Sequence, residues 1–182
     1  MSRLQEKYQA ELRSQLKESL GVANIHQVPK LTKIVVNTGV GRATQDSKQL
    51  EAAEGTLAKI TGQKPIQTKA RHSIAGFKLR EGQAVGTKVT LRGERMYDFL
   101  DRVISIVLPR TRDFRGLSLN GFDPQGNYSI GLDDQSVFAE ISFEDIVATH
   151  GLQISIVTDT LDRDASRALL QSLGLPFEKE AK

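Results

Sequence analysis

GTLAKITGQKPIQTKARHSIAGFKLREGQAVGTKVTLRG, residues 55–93, decides how this chain is read. Between Gly55 and Arg80 there is no Asp or Glu, while Lys59, Lys64, Lys69, Arg71, Lys78 and Arg80 all fall there. Glu81 is the only acid before Gly93, and Lys88 and Arg92 complete a stretch of net charge +7 in a chain that is +3 overall. Charge concentrated in this way suits a phosphate backbone. The stretch ends in Val85–Arg92, which has the composition of a strand. Strand side chains alternate between faces. Val89 and Leu91 therefore point one way, and Lys88, Thr90 and Arg92 the other.

Upstream, Leu31–Thr38 reads as a second strand. Ile34 and Val36 share one side, while Lys33, Val35 and Asn37 share the other. Two strands thus pair an apolar face with a face of cations and neutral hydrogen-bonding groups. Lys and Arg attract phosphates; Asn and Thr offer oriented contacts to sugars and base edges. The bland alternative is the solvated outer face that any one-sided sheet must have. Phe77 is the only aromatic residue between Tyr8 and Tyr97. Stacking of single-stranded bases is thus not the expected mode, and a structured RNA read by shape, sugar and phosphate is. Phe77 itself either anchors its loop in the core, the commoner role, or touches a ligand.

Helices and further strands complete the pattern. Leu4, Tyr8, Leu12, Leu16 and Leu20 recur every four residues before Gly21, as in a helix with a drifting apolar stripe. Asp46 is placed to cap a helix carrying Leu50, Ala53, Leu57 and Ile60, which Gly62 closes. Lys64–Lys69 is a short strand and Arg71–Gln83 a long exposed loop. Tyr97, Leu100, Ile104 and Val107 mark a third helix, stopped by Pro109. Short strands are expected near Leu117–Leu119, at Tyr128–Leu132 and at Gln153–Asp159. A last helix starts at Asp162 or Asp164, turns Ala165, Leu169 and Leu173 inward and ends at Gly174. This order predicts an α+β fold, an antiparallel β-sheet with helices packed on one face and long loops. At 182 residues the chain fits a single domain, 1–182. Its basic part runs over about 30–93 and an acidic part over about 116–162. From Gly116 to Asp162 there is no Lys or Arg, but there are eight acids, including Asp133, Asp134, Glu140, Glu144 and Asp145. Such a lobe attracts a basic protein or merely keeps the surface soluble.

Other chemistries are poorly supplied. There is no Cys, which removes disulfides and cysteine zinc sites. His26, His72 and His150 lack ligand spacing; His72, in the basic loop, fits a hydrogen bond or a phosphate better than a metal. No apolar run reaches the length of a membrane span. Glu6, Glu11 and Glu18 argue against a transit peptide, so the expected compartment is the cytoplasm. The sharpest competitor is the run from Ile34 to Arg42, a strand followed by Gly39-Val40-Gly41. This resembles the entrance of a dinucleotide-binding unit and would make the protein a nucleotide-binding enzyme. Thr44 stands at the third glycine position, and Lys69 and Arg71 stand where an acid would meet the ribose. No cofactor and no small-molecule substrate are expected.

Several of these segments resemble the bacterial ribosomal large-subunit protein five family. They are Lys33-Ile-Val-Val-Asn37-Thr-Gly-Val-Gly41, Ile60-Thr-Gly-Gln-Lys-Pro65, Phe77-Lys-Leu-Arg80, Lys88-Val-Thr-Leu-Arg-Gly93 and Leu108-Pro-Arg-Thr-Arg-Asp-Phe-Arg-Gly116. Gly126-Asn-Tyr128 and Leu173-Gly-Leu-Pro-Phe177 extend the similarity over nearly the whole chain. The resemblance implies a non-enzymatic protein with an antiparallel sheet that binds 5S rRNA in the central protuberance, beside large-subunit rRNA. It implies RNA contacts at Asn37, Gln63 and Thr90, to which the charge pattern adds Lys33, Lys64, Lys88 and Arg92. It also implies that Arg71–Arg80, with Arg71, His72, Ser73, Phe77, Lys78 and Arg80, approaches P-site tRNA. The later half would meet small-subunit ribosomal protein thirteen, a basic partner suited to the acids named above. Ala75-Gly76, Asp123-Pro124-Gln125 and Ala139 depart from the family pattern.

Overall fold

The structure, a computed structural model, describes residues 2–41, 47–111, 114–142, 146 and 148–178. Asp46, Thr44 and Arg42, which figure in the expectations above, lie outside the described residues, as do Arg112, Glu144 and Asp145.

Among the described residues, five strands form one antiparallel sheet. They are β1 (Leu31–Gly39), β2 (Ile66–Lys69), β3 (Ala84–Leu91), β4 (Tyr128–Leu132) and β5 (Leu152–Thr158), in the order β2-β3-β1-β5-β4. Helices pack against the sheet, and the class is α+β as expected. β1 and β2 both run antiparallel to β3, which lies between them. A dinucleotide-binding unit needs its first two parallel strands side by side so that their helix turn forms the phosphate crevice. Here β3 is inserted between them, and that unit does not form.

The chain divides into two compact units: Met1–Ile34, Leu91–Ile130 and Ser155–Lys182 in the first, Val35–Thr90 and Gly131–Ile154 in the second. In the first, the four-residue repeat of the N-terminal stripe poses a geometric problem. At 3.6 residues per turn each successive side chain would rotate about 40° from the last. The chain corrects this with one wide turn. α1 (Arg3–Lys7) passes through a π-helical turn, Tyr8–Leu12, into α2 (Arg13–Ser19). The i→i+5 spacing places more residues in the turn, and Leu4, Tyr8, Leu12 and Leu16 all stay buried. Gly21, at φ +63°, ends the helix. Its N–H donates to the Glu18 carbonyl and that of Val22 to Lys17, the paired bonds of a glycine-stopped helix.

Pro109 does not stop the third helix. α4 (Gly93–Arg102) continues through a second π-helical turn, Val103–Val107, into α5 (Leu108–Arg110), which contains the proline. Proline lacks an N–H, and its ring presses on the carbonyl four residues back. A widened turn just before it shifts those carbonyls, so the helix carries on to Arg110. α1 packs on α4, and α2 on α6 (Arg163–Ser172). The side chain of Asp162 accepts the Asp164 N–H as the α6 cap. Ala165, Leu169 and Leu173 are buried, as their spacing predicts.

All three tyrosines of the chain sit in this unit. Tyr8 donates its hydroxyl to the Pro29 carbonyl at 2.8 Å and stacks on Tyr97. Tyr128 donates to the Ser118 carbonyl at 2.8 Å and packs against Phe122 and Phe177. Burial, followed by the neighbouring Tyr97, pushes Tyr8 up to about 12. Burial and then the Glu178 carboxylate push Tyr128 up to about 12. Tyr97 is raised by burial and then by Asp159. These groups keep their protons longer when folded, so their stabilisation is whole below the ordinary tyrosine value near 10 and fades as pH rises toward 12. Titration by ultraviolet phenolate absorbance should find no ionised tyrosine at the ordinary midpoint in the native protein, and normal ionisation in denaturant. Ionisation of a native tyrosine at its ordinary value would contradict these environments.

In the second unit, α3 (Ser47–Thr61) buries Leu50, Ala53, Leu57 and Ile60 along one face, as their spacing predicts. Val40 packs with Leu50 and Ala53, and Ala84 lies against them. Gly62, at φ +66°, ends the helix.

Candidate RNA-binding face

The alternation expected for β1 and β3 is present. In the second unit Val36 and Thr38 of β1, and Thr87 and Val89 of β3, are buried. Asn37 is half-buried and Lys88 exposed. The Val40 N–H donates to the Val85 carbonyl at 2.9 Å, and Gly86 lies directly beside Gly39. That register sets Asn37 across from Lys88 and Val35 across from Thr90, and it matches the burial parity on both strands. On the far side of β3, Ile66 pairs with Lys88 and Gln67 with Thr87. Gln67 donates its amide to the Glu54 carboxylate of α3 at 3.1 Å, so Gln67 points toward the helix. Ile66, Lys88 and Asn37 consequently form a row on the face opposite α3.

Gln63 joins the same region from outside the sheet. Its Nε2 donates to the Thr90 carbonyl at 3.4 Å, and its backbone N–H donates to Thr61 Oγ1 at 3.3 Å. The glycine-ended α3 thus delivers Gln63 to the β3 backbone, and the exposed Lys64 follows it. The structure brings Asn37, Gln63, Lys88 and Thr90 together. Among the described residues no salt bridge holds Lys64 or Lys88. The strand segments of this unit contain no Asp or Glu, so nothing on them opposes a polyanion.

In the first unit, Lys33 is half-buried on β1 and Arg92 is exposed just before α4. Ser129 and Ser155 lie there with hydroxyls 3.1 Å apart on the outward side of β4 and β5. In the second unit Gln153 is likewise exposed on β5. The sequence reading did not single out these three or Ile66. Period-2 alternation in Tyr128–Leu132 and Leu152–Thr158 carries the signal for Ser129, Gln153 and Ser155, because each sits between buried neighbours.

The loop after β2 is exposed but locally ordered. Ile74 and Leu79 exchange backbone hydrogen bonds of 2.9 and 3.1 Å around a 3-10 turn, Ala75–Phe77. Lys78 adopts φ +51°, the left-handed region a non-glycine side chain enters at a cost. Ser73 Oγ accepts the Glu81 N–H at 2.9 Å. Arg71, His72, Ser73, Lys78 and Arg80 all face solvent. Phe77 is 74% exposed, which corrects the expectation that it anchors the loop in the core. The loop closes through its own backbone bonds and leaves the ring outside.

Of the acidic residues, Asp133 and Glu140 are exposed. Asp134 is committed locally, accepting the Ser136 N–H at 2.8 Å as the cap of the turn Gln135–Val137. Buried Gln135 ties this region together. It donates Nε2 to the Ala148 carbonyl at 2.8 Å and accepts the His150 N–H at 2.7 Å. In the first unit, Asp123 accepts N–H bonds from Gln125 and Asn127, and the Asn127 amide as well. Burial works against its charge, but these bonds prevail and hold its carboxyl below the usual range.

A sheet face of lysines, amides and hydroxyls, with no acid on its strands, has the chemistry of a nucleic-acid-binding surface. The comparisons make the class specific. The family model described as "Ribosomal protein L5" matches residues 24–80, and the model for the C-terminus of the same ribosomal family matches 84–177. The large ribosomal subunit protein uL5 of Psychrobacter cryohalolentis is 53% identical over 178 residues, covering 98% of this chain and all of the relative. Its namesake from Synechocystis is 54% identical, covering 96% of this chain and 97% of its own length. The one from Rubrobacter xylanophilus is also 54% identical, covering 97% and 98%. The chain belongs to the ribosomal protein L5 family. It is accordingly an rRNA-binding structural constituent of the large ribosomal subunit, located in the ribosome in the cytoplasm.

Proposed function

We propose that the face carrying Asn37, Gln63, Lys64, Lys88 and Thr90 docks on 5S rRNA, with Lys33 and Arg92 adding phosphate contacts and other large-subunit rRNA nearby. The observation that carries this reading is the placement of Lys88 directly across from Asn37, with Gln63 bonded to the Thr90 backbone beside them. Cations supply attraction that salt screens, and the fixed amides set register on sugars and base edges. The self-closed loop with Arg71, His72, Ser73, Phe77, Lys78 and Arg80 is the element that reaches P-site tRNA. Its five polar side chains and one outward ring suit a folded polyanion. Asp133, Asp134, Glu140, Glu144 and Asp145 would face small-subunit ribosomal protein thirteen, a basic surface matching their charge.

The test is a gel shift with purified 5S rRNA and transfer RNA as competitor. Wild-type protein should retain 5S rRNA against excess competitor. Asn37→Ala should weaken binding about tenfold, because a hydrogen-bonding partner on the RNA is left unpaired. Equal retention of 5S rRNA and competitor, or an Asn37→Ala protein that binds normally, would refute this assignment.

A further inference from the structure

Ile66 is out of character for its position. It is 67% exposed, on the face opposite α3, paired with Lys88 and in one row with Asn37. Among the described residues it is the only large apolar side chain exposed on a strand. Ile25, Ile74, Phe77, Ile106 and Leu161, the other exposed ones, lie in turns, loops or helical segments. A singly exposed apolar residue needs no explanation in general. This one stands at the edge-strand end of a row that continues through Lys88 to Asn37, on a cationic face where a solvated surface has no use for it. Its partner on the neighbouring strand is a lysine, so it does not complete an apolar cross-strand pair. The opposite orientation was available. Gln67, one residue on, points toward α3 and bonds Glu54, so the strand register itself turns Ile66 outward.

We propose that Ile66 is the apolar contact of the RNA-binding face, seating against ribose and base edges in the shallow groove of a folded RNA while Lys88 beside it, and Asn37 beyond, make the polar contacts. This inference rests on the reading of that face given above. An A-form helix presents a wide, shallow minor groove of sugars and base edges, against which a branched aliphatic side chain loses water on both sides. Its share of affinity is insensitive to salt, unlike that of Lys64 and Lys88. The occupant is RNA rather than protein because Lys88 pairs with Ile66, the exposed Lys64 lies two residues before it, and the strand segments of this unit carry no carboxylate.

Binding of 5S rRNA by wild type, Ile66→Val, Ile66→Ala and Ile66→Lys should be measured at several salt concentrations. Ile66→Ala should bind about tenfold more weakly at every salt with an unchanged salt slope, and Ile66→Val should restore most of the loss. Ile66→Lys should steepen the slope yet bind more weakly than wild type at high salt. Thermal melts should be nearly unchanged, since the side chain is mostly exposed when the protein is free. Wild-type affinity in Ile66→Ala, or a gain from Ile66→Lys at all salts, would overturn the proposal while leaving the face itself intact. A wild-type protein that ignores 5S rRNA would remove both.

Discussion

Gly86→Ala should destabilise the protein by about 3 kcal/mol and lower its melting temperature by roughly 6–12 °C for a chain of this size. The usual expectation runs the other way, since replacing glycine with alanine stabilises by about 0.4–1 kcal/mol where the backbone and space permit. Here space decides. A Cβ at Gly86 would lie 2.5 Å from the Thr38 carbonyl oxygen, 3.0 Å from Thr68 Oγ1 and 3.4 Å from the Gly39 Cα. Two of these neighbours are backbone and cannot rotate away. Gly86 pairs with Thr68, and the register between β2 and β3 slips immediately afterwards, between Thr68 and Lys69. The space closed to a Cβ thus lies just beside an irregularity in the β2–β3 pairing. Alanine must push β3 from β1, which moves Lys88 relative to Asn37, so 5S rRNA binding should weaken together with stability. Gly55→Ala is the matched control. Gly55 lies within α3 with nothing near its Cβ position, and there alanine should stabilise by about 0.5–1 kcal/mol. Equal melting temperatures for the two variants would refute the packing argument.

The residues that were legible in the sequence are those fixed by local rules. Ile34 and Val36 against Lys33 and Asn37 follow from period-2 alternation, and the buried and outward faces of β1 obey it. Tyr128–Leu132 and the Asp162 cap follow from equally local signals. What was not legible depends on distant partners or on deviations from ideal geometry. A four-residue apolar repeat says helix, but it does not say that a π-helical turn at Tyr8–Leu12 absorbs the drift. Pro109 reads as a stop because the widened turn ahead of it leaves no sequence mark. Phe77 reads as a core anchor because most aromatic residues are buried; the Ile74–Leu79 bonds that exclude it form between residues with no pairing signature. That Asp134 caps the turn Gln135–Val137 by accepting the Ser136 N–H is visible only with the backbone in place. Strand order is also invisible locally, since β3 inserts between β1 and β2 from far along the chain. The outward side of β1 and β3, with Asn37, Lys88 and Thr90, was therefore legible residue by residue, while the row Ile66–Lys88–Asn37 required the register.

Reversing the charge at the centre of that row should have the largest effect on function. Lys88→Glu is expected to weaken 5S rRNA binding roughly a hundredfold at moderate salt. Two unit charges about 4 Å apart interact by about 1 kcal/mol in bulk water and about 4 kcal/mol near a protein surface. Reversal removes one such attraction and adds a repulsion partly relieved by ions, so about 3 kcal/mol is a reasonable net. The effect should shrink at high salt, and the salt slope should fall by about one unit or more, because one fewer phosphate sheds its counterions. Folding should be untouched. Lys88 is exposed and in no salt bridge among the described residues, and its cross-strand neighbours Ile66 and Asn37 carry no charge. Lys17→Glu, on the N-terminal helix, keeps the net charge of the variant the same and should bind nearly as wild type. The pair separates a placed cation from general attraction. If both variants lose affinity equally, net charge alone governs the encounter and the row on β1–β3 is not the docking face. If only Lys88→Glu fails, and its slope drops while its melting temperature holds, the polyanion lies against that row.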